Sequence, residues 1–203
     1  VTAVVADADT LFGATTRGLL IHLNYFGLIR LHWSPLILGE LSRALVDTGR
    51  KPDIEAAQQH EQLLRAALPQ AEVPVSMVHK NFKAVAAAVR SAKDIHVAAC
   101  AHAVLTGDFY PNLRAVTLVT NNIRDFGIRR LSDLGITVTR PDAFLFALCR
   151  RDVRGVAAAF AALRASLRSA PTAGELLARL SADGQVKTAA ELLEASRRNA
   201  AAI

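Results

Sequence analysis

Asp7 and Asp9 are separated by one alanine and follow an apolar run, Val4-Val5-Ala6, with Thr10-Leu11-Phe12 after them. Two carboxylates at the end of a buried strand can do one of two things. The first can attack a phosphorus centre with the second as its acid/base partner, or it can hold a hard divalent cation through its oxygens. Three further acids bear on the choice. Glu40 lies on an apolar stretch among Leu36, Ile37, Leu38 and Leu41, where an unpaired charge is expensive to bury. Asp94 follows Ser91-Ala-Lys, and Asp125 follows the run AVTLVT and the pair Asn121-Asn122. Separated acids that converge at one sheet edge make a site for Mg²⁺ or Mn²⁺. Each acid also has a plainer reading. Asp94 can complement a helix dipole, Asp125 and Asp9 can cap helices, and Glu40 can pair with Arg43 or face solvent.

Bringing these acids together requires alternating strands and helices. Val4 to Ala6 reads as a short buried strand. Thr15 or Thr16 can cap a helix that runs to Tyr25 or Phe26 and stops at Gly27. Leu28 to Trp33 alternates as a strand, and Ser34-Pro35 opens a helix with Glu40 on its second turn. Pro52-Asp53 opens another, to about Ala67. Glu72 to Val78 is expected to be extended and Asn81 to Arg90 helical. Ser91-Ala-Lys-Asp94 has the form of a capping box, opening a helix that ends at Gly107. Ala115 to Thr120 is a strand, followed by a short helix at Ile128 to Leu134 and a strand at Ile136 to Thr139.

This alternation predicts a three-layer α/β domain with a mainly parallel central sheet, whose ligands bind beyond the carboxyl ends of the strands. Asp7, Asp9 and Asp125 fall there. Residues 143–203 carry no strand signal. Thr172-Ala-Gly-Glu175 is a second capping box and Asp183-Gly184 a turn, so three or four short helices are expected. The expected division is 1–142 for the α/β domain and 143–203 for an all-helical C-terminal extension.

The 203 residues are 52% hydrophobic and 21% charged, which suits a sizeable core and excludes a disordered chain. The net charge of +6 attracts polyanions. Residues 143–203 carry nine of the 24 Lys and Arg but only five of the 18 Asp and Glu, so most of the excess lies there. That is either a solvated helical face or a surface for a polyanion. Cys100 and Cys149 have no ligand spacing, which argues against a disulfide scaffold or a zinc site and fits a reducing cytosol. No signal pattern opens the chain and no apolar run is long enough for a bilayer, so a cytoplasmic protein without a membrane partner is expected.

Read alone, the opening stretch resembles the first motif of the haloacid-dehalogenase-like phosphatases, which would make Asp7 a nucleophile. That chemistry also needs a lysine and a later acidic pair. After residue 120 there is no Asp-Asp or Gly-Asp-x-x-x-Asp, and the one lysine is Lys187.

Four segments, in order, resemble the PIN-domain nuclease family, which includes the VapC-type toxins of bacterial type II toxin–antitoxin pairs. They are VVADADTLF, HWSPLILGELSRAL, SAKDIHVAACAHA and LVTNNIRDFGIRRLSDLGITVTRPDAFL. The resemblance implies a PIN-like fold over the first 142 residues, with Asp7, Glu40, Asp94 and Asp125 as the catalytic, metal-holding acids for Mg²⁺ or Mn²⁺. It implies supporting roles for Asp9, Thr120, Asn121 and Asn122, although many relatives carry an acid where Asn122 stands. It further implies a metal-dependent endoribonuclease acting on RNA such as tRNA or rRNA, and a cognate antitoxin that occupies the acid-centred groove; a homodimer is a further expected partner arrangement. Some toxins of this type resemble the chain in carrying a helical extension. Arg17, Arg124, Arg129 and Arg130 flank the motifs and are candidates for RNA-backbone contacts. His96 could contact substrate, transfer a proton or be structural. Two other readings stay open: the phosphatase, and a non-catalytic RNA-binding PIN module.

Overall fold

Short runs rich in β-branched residues form all but one of the strands, and alanine- and leucine-rich stretches form most of the helices. In the computed structural model, which describes residues 2–198 and 203, the chain begins β1 (Ala3–Ala6), α1 (Ala8–Phe12), α2 (Ala14–Tyr25), β2 (Arg30–His32) and α3 (Pro35–Asp47). It continues α4 (Ile54–Ala67), α5 (Val75–Val85), α6 (Ile95–Thr106), β3 (Val116–Val119), α7 (Ile128–Asp133) and β4 (Ile136–Thr139). Four helices follow: α8 (Pro141–Arg151), α9 (Val153–Ser166), α10 (Ala173–Ala182) and α11 (Val186–Arg197). These elements form two compact units, one comprising the chain up to Phe12 with Arg30–Thr139, the other Gly13–Ile29 with the chain from Arg140 onward.

The first unit is α/β and consistent with the expected PIN-like fold. Its strands pair in parallel in the order β2-β1-β3-β4. Ala3 is in register with both Arg30 and Val116, and Val116 with Ile136. All four residues of β1 are buried, as expected for a central parallel strand covered on both faces, so its sequence is uniformly apolar. Thr120 N–H donates to Thr139 O and Asp7 N–H to Val119 O, both at 3.0 Å, which carries the ladder to the carboxyl ends of the strands. Ser34 caps α3 through its hydroxyl, which accepts Ile37 N–H at 3.3 Å, with Pro35 at the first helical position.

Three local expectations in this unit are corrected, the first being the helix over Asn81 to Arg90: α5 ends at Val85, a 3₁₀ turn covers Ala86–Ala88, and Val89 is extended and bridges Phe126. The extended segment stops at Val73, whose N–H donates to Trp33 O at 2.8 Å. From Pro74 onward the chain enters α5, so Val75 to Val78 are helical. Val78 and Val85, seven residues apart on one face, are both buried, and that helical packing overrides the strand preference of valine. The expected capping box at Ser91 does not form. Its hydroxyl makes no cap bond to the backbone and engages the Asp94 carboxylate, and a 3₁₀ turn over Ala92–Asp94 leads into α6.

The second unit is all-helical. Here α2 packs against α9 and α10, α8 against α9 and α11, and α10 against α11. Leu163 of α9 comes so near Gly18 of α2 that a Cβ there would lie 2.7 Å from its Cδ1, so glycine sets that close approach. The capping box of Thr172 and Glu175 forms with both of its reciprocal bonds. Two helices are capped from elsewhere in the chain. Asp142 accepts the N–H groups of Lys187 and Thr188 at the start of α11. Asp183 accepts those of Thr15 and Thr16 at the start of α2, whose N-cap is Gly13 and neither threonine. Among the described residues no helix is long and apolar enough to cross a membrane.

Candidate active site

Because β1 and β3 are neighbours, their carboxyl ends deliver Asp7 and Thr120 side by side. Ala8 N–H donates to Asp7 Oδ1 at 2.7 Å and the Thr120 hydroxyl to Asp7 Oδ2 at 2.8 Å, which fixes the plane of this buried carboxylate. The same hydroxyl lies 3.2 Å from Asp9 Oδ2 and accepts Asn122 N–H at 3.0 Å. Asp9 itself accepts Asn121 N–H at both oxygens, 3.1 and 2.9 Å, and Asn122 N–H at 3.1 Å. Asp9 therefore closes the turn after β3. Its charge stays beside Asp7.

Glu40 arrives from α3 and Asp94 from the 3₁₀ turn before α6. With Asp7, Asp9 and Asn122 they line one open cavity of about 540 Å³. Arg43 and Asp47 of α3 line it too. Asp47 was not singled out from the sequence, yet it lies seven residues beyond Glu40, and that spacing places both on one helix face. Asp125 does not line the cavity. Its carboxylate accepts the Asn122 side-chain amide and its backbone carbonyl accepts Arg90 N–H at 2.7 Å.

The electrostatics record how closely the acids are gathered. Burial, and then the neighbouring Asp9 charge, push the Asp7 carboxyl up to about 7, with Glu40 adding to the rise. Burial also raises Asp94. A bond from Ser91 and the His96 ring act against that rise, while Asp125 and Glu40 add to it. Glu40 pairs with His96 rather than Arg43, its Oε2 lying 3.3 Å from His96 Nε2. Lys93 O lies 2.7 Å from His96 Nδ1 and can only accept, so Nδ1 carries a proton. Burial disfavours the charged ring, but Glu40, the Lys93 carbonyl and Asp7 outweigh it, and the His96 pKa rises. His96 is thus a countercharge to Glu40.

An oxygen-rich set in which neighbouring charges raise the proton affinity of Asp7 and Asp94 has the chemistry to bind a hard cation, because a cation relieves the same repulsion a proton does. Among the described residues, no three His, Cys, Asp or Glu side chains are drawn in tightly enough to hold a metal ion as they stand. Asp7 is pinned and buried, whereas Glu40 and Asp94 are only half-buried.

Arg124, Arg129 and Arg130 line a second cavity of about 630 Å³, joined by Arg90, which sequence reading did not single out. Among the described residues none of these four makes an ion pair with a carboxylate. Arg17 lies on α2, in the second unit. Arg50 lies 4.1 Å over the Phe12 ring and donates to Phe12 O at 3.2 Å, a pairing that no local sequence signal reveals.

No curated protein and no solved structure matches the chain. A family model does match part of it. Residues 141–194, a span that begins with α8 and ends within α11, are similar to the family described as the VapC50 C-terminal domain.

Proposed function

We propose that this protein is a divalent-metal-dependent endoribonuclease of the VapC type, the toxin of a pair whose antitoxin occupies the acidic cavity. The observation that carries the reading is the convergence of Asp7, Glu40 and Asp94 from three separate elements on one cavity. The similarity of residues 141–194 to the VapC50 C-terminal domain supports it independently.

In this reading Asp7, Glu40 and Asp94 hold Mg²⁺ or Mn²⁺, which would neutralise charge on a phosphodiester and lower the pKa of a bound water. Asp7 keeps both oxygens oriented through Ala8 N–H and Thr120. Its carboxyl, pushed up to about 7, would give up its proton on holding a cation. Asp9, Thr120, Asn121 and Asn122 position Asp7 and the turn behind it. Asp125 acts from the edge, steadied by Asn122. Arg124, Arg129 and Arg130, with Arg17 on the helical unit, attract the RNA backbone, whose phosphates an acidic cavity alone would repel. A structured RNA such as a tRNA or rRNA is the expected substrate and the cytoplasm the expected compartment.

The bonds of Asp9 speak against the phosphatase alternative. Its oxygens accept the backbone N–H groups of Asn121 and Asn122, so the side chain is taken up in holding the turn after β3. The test is incubation of the purified protein with RNA and Mg²⁺ or Mn²⁺. Cleavage is expected for the wild type and lost in Asp7→Asn and Glu40→Gln; cleavage that survives Asp7→Asn overturns the assignment.

A further inference from the structure

A further open cavity, about 490 Å³, lies beside the acidic one and shares Glu40 and Arg43 with it. Its other walls differ in kind. Phe82 and His79 come from α5, Leu36 from the first turn of α3, and Lys93 and His96 from the segment that carries Asp94. The His79 and Phe82 rings stand edge to face, centroids 5.1 Å apart at 82°. Phe82 is half-buried and His79 exposed, so the pair presents ring surface to the cavity rather than filling the core.

Asn81, between these residues in sequence, donates through its amide to Met77 O at 2.8 Å and accepts from His102 Nδ1 at 2.5 Å, which ties α5 to α6. The walls combine an aromatic pair and an aliphatic side chain with Arg43 and Lys93, while Glu40 and His96 on the shared wall pair with each other. This combination is good chemistry for a flat heteroaromatic ring with polar edges, which stacks on the aromatic side chain while Arg43 and Lys93 meet its acceptors.

We propose that this cavity is a nucleobase subsite. It takes the unpaired base of the nucleotide whose phosphate sits among the acids, with Phe82 as the stacking platform. The proposal rests on the nuclease reading of the acidic cavity. The shared wall places base and phosphate in adjacent compartments, as one nucleotide requires. A base held in a duplex stack cannot enter such a pocket, so the substrate at this point is single-stranded or a loop.

The probe is a single-stranded RNA decamer carrying one 2-aminopurine, titrated into the full chain with Ca²⁺ in place of Mg²⁺ or Mn²⁺, so that the acids are neutralised by a hard cation without supporting cleavage. Stacking on Phe82 is expected to quench the fluorophore, and a fully duplexed decamer of the same sequence is expected to give no quench. Phe82→Leu should weaken binding roughly 5- to 150-fold, the range of one aromatic–base stack, and abolish the quench. Phe82→Trp should retain both, and His79→Ala should reduce both in a chain whose core is untouched. Circular dichroism establishes that each variant is folded. Unchanged affinity and quench in folded Phe82→Leu and His79→Ala, or no quench by the wild type, overturns the subsite. The two readings fail separately. A quench lost with Phe82 but no cleavage under any metal leaves the subsite and removes the nuclease; metal-dependent cleavage indifferent to Phe82 and His79 does the reverse.

Discussion

Asp9 accepts the backbone N–H of Asn121 at both carboxylate oxygens, 3.1 and 2.9 Å, and so ties the first turn of α1 to the turn that follows β3. The acid that looks most like a second nucleophile or ligand in the sequence is committed to holding two strand ends together.

Asp9→Ala should therefore act mainly on stability and only partly on activity. The loss is about 1 kcal/mol, because the freed N–H groups are exposed and water can replace the acceptor. Removing the Asp9 charge also lowers the Asp7 pKa, since that charge is the second cause of its rise. Urea denaturation and a titration of the Asp7 carboxyl by NMR check both effects. A loss of cleavage as deep as that of Asp7→Asn would make Asp9 a ligand instead.

Asp7→Asn should stabilise the metal-free protein. The folded-state pKa of about 7 lies above the ordinary 3.8, so the folded chain binds more protons between these values and loses stability as pH rises through them. The asparagine variant lacks that cost. In EDTA it should exceed the wild type by at most about 4 kcal/mol above pH 7, with the difference vanishing as pH falls towards 4. Added Mn²⁺ should raise the wild-type unfolding midpoint and leave Asp7→Asn unmoved.

His32 should give the opposite slope. Ala71 O, 3.1 Å from His32 Nδ1, can only accept, so Nδ1 carries the proton and Nε2 accepts from the Tyr110 hydroxyl at 2.8 Å. Burial, opposed by the Ala71 bond, lowers the ring from 6.5 to about 4. Its contribution is full above pH 6.5 and declines as pH falls towards 4, by about 3 kcal/mol in all. Asp7 masks this slope in the wild type, so the decline is measured in the Asp7→Asn background. Tyr110→Phe should cost about 1 kcal/mol at neutral pH.

In the helical unit, Asp183→Ala should destabilise α2 by about 1 kcal/mol, the cost of a lost N-cap. Gly13→Ala should do the same by another route, because the new Cβ would stand 2.7 Å from the Asp183 carboxylate. Faster hydrogen exchange at Thr15 and Thr16 in both variants would confirm the shared cause. Unchanged protection would show that the cap contributes little.

Much of the fold was legible because its signals are local. Ser34-Pro35 opens α3, Asp53 caps α4, Thr172 and Glu175 form their box, and AVTLVT pairs as β3. Each depends on residues within one turn or one strand. The Ser91 box failed because the Asp94 carboxylate competes for the same hydroxyl, and the valines before Val78 misled because burial on a helical face outweighs strand preference.

The sequence by itself determined the alternation of strands and helices and the kinds of residues available at the strand ends: oxygen donors suited to a hard cation, set among arginines. Only the tertiary structure decided which acids share a cavity. It set Asp125 behind Asn122, brought in Asp47, turned Glu40 towards His96, made Asp9 a tie between strands and grouped α2 with α8 to α11. These outcomes follow from strand register and helix packing across tens of residues. The energy of a carboxylate depends on the charges and donors within a few ångströms, wherever in the chain they come from.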